Sequence, residues 1–298
     1  MPSSRFYIRS FRLRTLPLSV AGIILGSLLA ASDGCFDTAV FVLAVSTTLL
    51  LQILSNVANE YGDYIHGTDT AQRAGMRYSL SDGGLSLSDF RRMIVVLTVL
   101  GCISGLALLL TAMDVLFSRN GVVMLALGAA AVLAALGYTL VRHPYGYVGL
   151  GDLFVLLFFG FASTCGPYFL MCGRLDAAVF LPAAGCGLLA VGVLNVNNIR
   201  DIETDRATRR TVPIMLGERN AKIYHALLLA AAFAAFSAYR IIRSVGPQGW
   251  LFWITAPLFA LHVCKLARRS GRQLDALLPE LSILTLTLCI LYGLSGLS

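Results

Sequence analysis

Long apolar tracts without charge constrain this chain more than any other feature of it. Nine can be read along its 298 residues, at about 16–31, 38–58, 93–113, 121–141, 150–172, 177–196, 221–239, 249–264 and 280–297. Crossing the hydrocarbon core of a bilayer takes roughly 20 mainly apolar residues, so each tract is of spanning length, the first and eighth by drawing on their flanks. The tracts are continuous rather than alternating, which predicts helices. In lipid the backbone must satisfy its own hydrogen bonds, and only helices and closed barrels do so. Charged residues make up 13% of the chain, against about 25% in ordinary soluble proteins. That leaves little material for a separate soluble domain and predicts one all-α, polytopic membrane domain over residues 1–298. Arg5, Arg9, Arg12 and Arg14 precede the first tract as they would in a cleavable leader. The chain continues into further tracts, however, and the first is read as a retained helix.

The basic residues orient the tracts. With the N-terminus inside, the inner segments hold 19 of the 23 Lys and Arg residues, and the outer links hold only Arg119, Arg174, Arg240 and Arg243. Basic residues favour the cytoplasmic side of short loops. This predicts a multi-pass membrane protein with its N-terminus cytoplasmic and its C-terminus on the opposite side. The net charge of +7 is thereby accounted for by topology and contact with membrane lipids, and no nucleic-acid partner is expected. The seven cysteines are scattered, with no CxxC pair, so neither a disulfide scaffold nor a thiolate metal site is predicted.

Two acidic clusters stand out from this background. Asn56, Asn59, Glu60 and Asp63 share one helical face at the end of the second tract, and Asp69 follows. After the sixth tract Asn195, Asn198, Asp201 and Asp205 repeat the arrangement. Several oxygen donors on one face suit a hard divalent cation such as Mg²⁺, which is usually held together with substrate phosphates. Both clusters follow even-numbered tracts, so parity places them on one membrane face, where they can grip a single polyanion. Arg73, Arg209 and Arg210 lie close by in sequence, and guanidinium forks chelate phosphate oxygens. A transporter is the competing reading, because intramembrane acids also mark ion pathways. Its acids would lie near helix midpoints, whereas these gather at tract ends.

In this order, on nine apolar tracts, the segments LQILSNVANEYGDYIHGTD (51–69), HPYGYVGLGD (143–152) and LNVNNIRDIETDR (194–206) resemble the UbiA superfamily of intramembrane prenyltransferases. TVPIMLGERNAKIYH (211–225) is also similar. Within the superfamily, the branch acting on 1,4-dihydroxy-2-naphthoate in bacterial menaquinone biosynthesis is the nearest in these motifs. The resemblance implies nine transmembrane helices around a central cavity with two aspartate-rich regions at its cytoplasmic mouth. Asn56, Asn59, Asp63 and Asp69 would form the first region, and Asn198, Asp201 and Asp205 the second. Glu60 stands where the family often has Asp, which keeps the anionic oxygen and lengthens its reach by one methylene.

The implied reaction is Mg²⁺-dependent transfer of a polyprenyl group from its diphosphate to 1,4-dihydroxy-2-naphthoate. Diphosphate and the acceptor's carboxylate are lost, and demethylmenaquinol is formed. Glu60, Asp63, Asp69, Asp201 and Asp205 are the metal candidates; Asn56, Asn59, Arg73, Arg142, Asn198, Arg209 and Arg210 the substrate-binding candidates. Asp152 would orient the acceptor hydroxyl, while Tyr138 and Tyr145 would present ring faces to an allylic cation. Acceptors such as 4-hydroxybenzoate or homogentisate are the alternative within the superfamily.

Overall fold

The computed structural model describes residues 4–67, 80, 84–141 and 144–297. Among the described residues nine helical spans are long and apolar enough to cross a membrane. The first, Ser4–Ser32, joins a short helix α1 (Ser4–Ser10) to α2 (Leu16–Ser32). Then come α3 (Thr38–Ile65), α4 (Leu87–Ala112) and α5 (Arg119–Gly137). The fifth span, Gly151–Cys172, is α6 (Gly151–Val155), a π-helical stretch Leu156–Ala162 and α7 (Ser163–Cys172). The sixth runs into α8 (Phe180–Arg200), which is followed by the short α9 (Ile202–Asp205) and α10 (Val212–Leu216). The last three spans centre on α11 (Glu218–Ile242), α12 (Ala256–Arg268) and α13 (Leu277–Leu294).

Local chemistry fixes several of these starts. Asp37 accepts from Val40 N at 2.9 Å and caps α3. Ser86 and Asp89 form a reciprocal capping box at α4, and Ser118 accepts from Gly121 N at 3.1 Å to start α5. Each side chain satisfies an amide that the first helical turn leaves without a partner.

The bundle has a dense half and an open half. α2, α7, α8 and α11–α13 enclose the main core, which includes Leu25, Leu189, Phe236, Leu281 and Tyr292. Close contact here depends on small residues: a Cβ on Gly160 would lie 2.7 Å from Gly187 Cα and from the Ala183 carbonyl oxygen. Spans five and six therefore touch backbone to backbone. α3, α4 and α5 stand apart as a wing, with their own cluster around Leu54, Val57, Phe90 and Leu97. A cavity of about 650 Å³ separates wing from core, lined almost wholly by apolar side chains. The outward faces of α4 and α5 expose Val95, Val99, Ile103, Val122 and Val123, the surface expected where hydrocarbon is the solvent.

Polar contacts segregate to the two ends. At one end α3 meets the segment after α9, through Asp63 and Arg209. At the other, Arg243, just past α11, pairs with Asp33 beyond α2 and with Asp176 ahead of α8. Spans of even number thus finish at one end and spans of odd number at the other, as the parity reading requires.

Several helices outrun their tracts, two of them with consequences for the polar ends. The second tract stops at 58, yet α3 continues to Ile65, where protein neighbours bury one face of it at Glu60, Gly62 and Asp63. The ninth tract begins at 280, yet its span begins at Gly271. Glu280 is tolerated inside it because Lys265 Nζ lies 2.8 Å and His262 Nδ1 3.2 Å from its carboxylate. An acid near a helix start is also favoured by the helix dipole.

Candidate functional site

The two acidic clusters are joined by one arginine. Asp63, in the last turn of α3, accepts from Arg209 Nη2 at 2.5 Å and from the Tyr147 hydroxyl at 2.8 Å, both on Oδ1. Arg209 Nε stands 3.7 Å from Asp205 Oδ2, and the guanidinium carbon lies 4.5 Å from the centre of the Tyr147 ring. Asp63, Asp205 and Arg209 are all buried. A buried charge is tolerated only when paired and hydrogen-bonded, so each of these groups depends on the others. The loop is held as well: Arg209 N donates to Asp205 O, and Arg210 N to the Tyr147 carbonyl at 2.9 Å. The Arg210 side chain is exposed.

Asp201 forms a second knot. Its carboxylate accepts twice from its neighbour Arg200, at 2.9 and 2.7 Å. Arg200 reaches on to Asp275 at 2.7 Å and to the Asn197 side chain at 2.9 Å. Arg14 also approaches Asp275, at 3.4 Å, so this knot ties the ends of spans one, six and nine together.

The expected helical face of Asn195, Asn198, Asp201 and Asp205 is not continuous. α8 stops at Arg200, Asp201 leaves helical geometry at φ −99°, ψ 10°, and α9 restarts at Ile202. The Thr204 hydroxyl donates to the Asp201 carbonyl at 3.1 Å, a local bond of the kind that competes with helix continuation. Asn195 is fully buried, and neither of its amide atoms has a hydrogen-bond partner among the described residues. Asn198 is buried one turn later.

The first cluster also divides its work. Asn56 faces the N-terminal segment, donating to Phe11 O at 2.9 Å and to the Thr15 hydroxyl at 3.0 Å. The Asn59 oxygen accepts from the Thr139 hydroxyl at 3.2 Å. Glu60 is buried and accepts from the amide of Leu80 at 3.2 Å. Asp69, Arg73 and Arg142 lie outside the described residues.

Between this polar end and the cavity stand Tyr138 and Tyr145, both among the cavity's lining residues. Their rings meet edge to face at 5.3 Å, and Tyr145 stacks on Phe154 at 3.9 Å. The Tyr145 hydroxyl is fixed by the Ala134 carbonyl at 2.7 Å. Burial pushes both phenols above their ordinary pKa, and at Tyr138 the charges of Arg209, Asp63, Asp152 and Asp205 are all felt. Tyr138 therefore stands where the acidic end and the apolar cavity meet. Asp152, at the start of α6, accepts from the Tyr224 hydroxyl at 2.9 Å.

Tyr224 and Asp275 were missed by sequence reasoning. Tyr224 falls inside the similar stretch 211–225, but only the folded chain, with its hydroxyl on Asp152, shows that it faces an acid. Nothing in the local sequence marks Asp275.

The donor set fits a hard cation in kind: it consists of oxygens, and Asp63 and Asp205 face one cationic group from two elements. Among the described residues no three His, Cys, Asp or Glu side chains converge. A metal here would therefore share its coordination with substrate phosphate and water, the usual habit of Mg²⁺.

Residues 19–279 match the model of the UbiA prenyltransferase family. The chain is 42% identical to a 1,4-dihydroxy-2-naphthoate octaprenyltransferase of Escherichia coli (strain K12), over 90% of this chain and 86% of the relative. It is 37% identical to the enzyme of the same description from Haemophilus influenzae, over 95% and 92%. Among solved structures, a UbiA homolog from Aeropyrum pernix K1 superposes with a TM-score of 0.68 at 20% identity, covering 97% of this chain and 96% of that one. A UbiA homolog from Archaeoglobus fulgidus bound to GPP and Mg²⁺ does so with a TM-score of 0.62 at 15% identity, covering 97% and 99%. These two establish the fold.

Proposed function

The chain belongs to the UbiA prenyltransferase family, and on that footing we propose that it transfers a polyprenyl group from its diphosphate to 1,4-dihydroxy-2-naphthoate. Demethylmenaquinol, diphosphate and carbon dioxide are the products of that reading. One observation carries it: Arg209, pinned between Asp63 and Asp205 over the Tyr147 ring, stands at the same end as Tyr138, whose carbonyl accepts from the neighbouring Gly146 amide and which lines an apolar cavity of about 650 Å³. Such a site suits a substrate with an anionic head and a hydrocarbon tail. The naphthoate acceptor is supported by the two bacterial relatives.

Asp63 and Asp205 are the residues that would hold Mg²⁺, with Glu60, Asp69 and Asp201 as further candidates. The ion, when bound, neutralises the diphosphate and favours its departure. Arg209 adds a fixed positive charge at that point, and fixed charges aimed at developing charge lower a barrier most effectively. The allylic C–O bond breaks with its electron pair leaving on the diphosphate. Tyr138 and Tyr145 present ring faces beside the cationic carbon, and the apolar lining keeps water from it. The electron-rich acceptor ring then attacks that carbon. Asp152, held by Tyr224, is placed to orient an acceptor hydroxyl; Asn59, Asn198 and Arg210 stand at the same end as further substrate contacts. The arginine bias sets this end at the cytoplasmic face of a bacterial inner membrane.

The test is incubation of the purified protein with a long prenyl diphosphate, Mg²⁺, and 1,4-dihydroxy-2-naphthoate, 4-hydroxybenzoate or homogentisate in separate reactions. A prenylated, decarboxylated naphthoate product by mass, lost on chelation, is expected. Product only from another acceptor would overturn the acceptor assignment, and turnover unaffected by chelation would overturn the metal.

A further inference from the structure

The end of the bundle opposite the carboxylates carries chemistry that prenyl transfer does not use. α2 and the fifth span run in parallel and in close register. A Cβ on Gly22 would collide with the Ser163 side chain, and one on Gly26 with the backbone of Thr164. Further along, the Tyr168 hydroxyl donates to Asp33. This register continues past both helix ends, and a left-handed glycine shapes each. Gly34, at φ 76°, lets its own N–H return to Ala31 O and that of Cys35 to Ala30 O, which folds Cys35 back onto the bundle. Gly173, at φ 66°, stops α7 immediately after Cys172. Cys172 stands one turn beyond Tyr168 and Cys35 two residues beyond Asp33, so the Tyr168–Asp33 bond brings both cysteines to one place at the edge of the same core, where each thiol feels the other. Both are half-buried, within reach of a reagent from that side.

We propose that Cys35 and Cys172 form a disulfide that staples the first span to the fifth. The proposal rests on the orientation given above, which puts this end outside the cytoplasm, where disulfides form and persist. Two thiols give up two protons and two electrons as one S–S bond forms. The electrons pass by thiol–disulfide exchange to the disulfide of an extracytoplasmic thiol oxidant, which leaves as a dithiol. A second pair supplies an internal contrast: Cys186 and Cys289 have their sulfurs 3.9 Å apart. They are sealed between α8 and α13, where no oxidant protein can reach, and they remain thiols. The staple has a place in the architecture, since Ser19 and Ile23 of α2 and Phe158 and Ser163 of the fifth span all line the cavity. Joining the ends of these spans holds one cavity wall in register.

The test uses the full-length protein in the membranes of bacteria that produce it. Free thiols are capped with N-ethylmaleimide in denaturing detergent, the sample is reduced, and a second maleimide of different mass is added before peptide mass analysis. The second label on Cys35 and Cys172, with the first on Cys186 and Cys289, is the expected result. Thermal unfolding of the purified protein should then shift downward on reduction, while Cys35→Ser already melts at the lower temperature and ignores reductant. The first label on both Cys35 and Cys172 overturns the proposal, and a membrane-impermeant maleimide says why. Labelling in intact cells means the orientation stands and the pair alone fails; labelling only in inverted vesicles means the orientation itself is wrong.

Discussion

Asp63→Asn is the most searching single change, because it removes charge while keeping shape. Asp63 meets Arg209 with side-chain exposures of 6% and 7%, so solvent screens the pair little. The amide oxygen can still accept from Arg209 and Tyr147. What is lost is the partner charge of a buried ion pair, a removal that costs about 3–5 kcal/mol where nothing else compensates the remaining charge. Asp205, 3.7 Å from Arg209, limits the damage by retaining a carboxylate beside the guanidinium, so the protein should fold with a loss of about 2 kcal/mol. Catalysis should suffer more. If Asp63 organises charge against the leaving diphosphate, turnover should drop about 10²–10³-fold, the scale seen when a preorganised electrostatic contact is removed. The assay pairs thermal unfolding in detergent with initial rates at saturating Mg²⁺, on Asp63→Asn, Arg209→Gln and the double variant. The double variant should lose less stability than the two single losses added together, by about 1.5–3 kcal/mol. Turnover within a few-fold of wild type in Asp63→Asn would refute the role given to this carboxylate, whatever the stability data show.

Other perturbations separate the remaining parts of the site. Tyr147→Phe deletes the 2.8 Å bond to Asp63 but keeps the ring under Arg209, so a stability loss of about 1 kcal/mol with intact folding is expected by thermal unfolding. Gly146→Ala would put a Cβ 2.8 Å from the Tyr138 ring; displacing that ring should lower kcat, while the donor KM changes less, in steady-state kinetics. Tyr224→Phe leaves the half-buried Asp152 without its 2.9 Å donor and should raise the acceptor KM more than the prenyl diphosphate KM. Burial holds the Tyr138 and Tyr145 phenols protonated past their ordinary pKa near 10. Neither should therefore add a limb to the pH–rate profile between pH 6 and about 9, and a Tyr138→Phe profile of altered shape would contradict this.

The nine spans were legible because lipid imposes a length and a polarity on every crossing. The alternation of ends was legible because basic residues record the side on which each loop stayed. Helical spacing also brought Glu60 and Asp63 onto one stretch of α3. Spacing along one helix cannot say which other helix lies opposite. Asp63 and Arg209 are 146 residues apart, Asp152 and Tyr224 72, and Arg200 and Asp275 75; each contact is a product of packing. The break at Asp201 was hidden for a different reason. Residues 194–206 keep a helical pattern of side chains, and at the break the Asp201 carbonyl accepts from the Thr204 hydroxyl as well as from the Asp205 amide, a local bond that the pattern does not announce. Cys35 and Cys172, 137 positions apart in a chain with no CxxC, were invisible until two helix ends were superimposed in space.

The continuation of α3 beyond its apolar tract explains how one chain serves two solvents. A helix that ended at 58 would leave Glu60 and Asp63 on a loop, where holding two carboxylates in place would cost backbone entropy of roughly 1–2 kcal/mol per residue. Extending α3 to Ile65 instead carries the rigidity of the membrane span into the polar layer. Gln52 and Ser55 line the apolar cavity, and Asp63, two turns beyond Ser55, pairs with Arg209. Under the proposed function, tail and head of the amphipathic substrate would be read by a single rod. The opposite wall is built differently: α8 stops at Arg200, and Asp205 and Arg209 come from the short α9 and the turn after it. That side, tied down by Arg200 to Asp201 and Asp275, is where movement on substrate binding has least backbone to unfold. Hydrogen exchange of residues 202–210 should accordingly be faster than that of 56–63, and slow when a prenyl diphosphate is added. Equal protection of the two segments in the free protein would mean that both walls are rigid and that the asymmetry in helix length has no dynamic consequence.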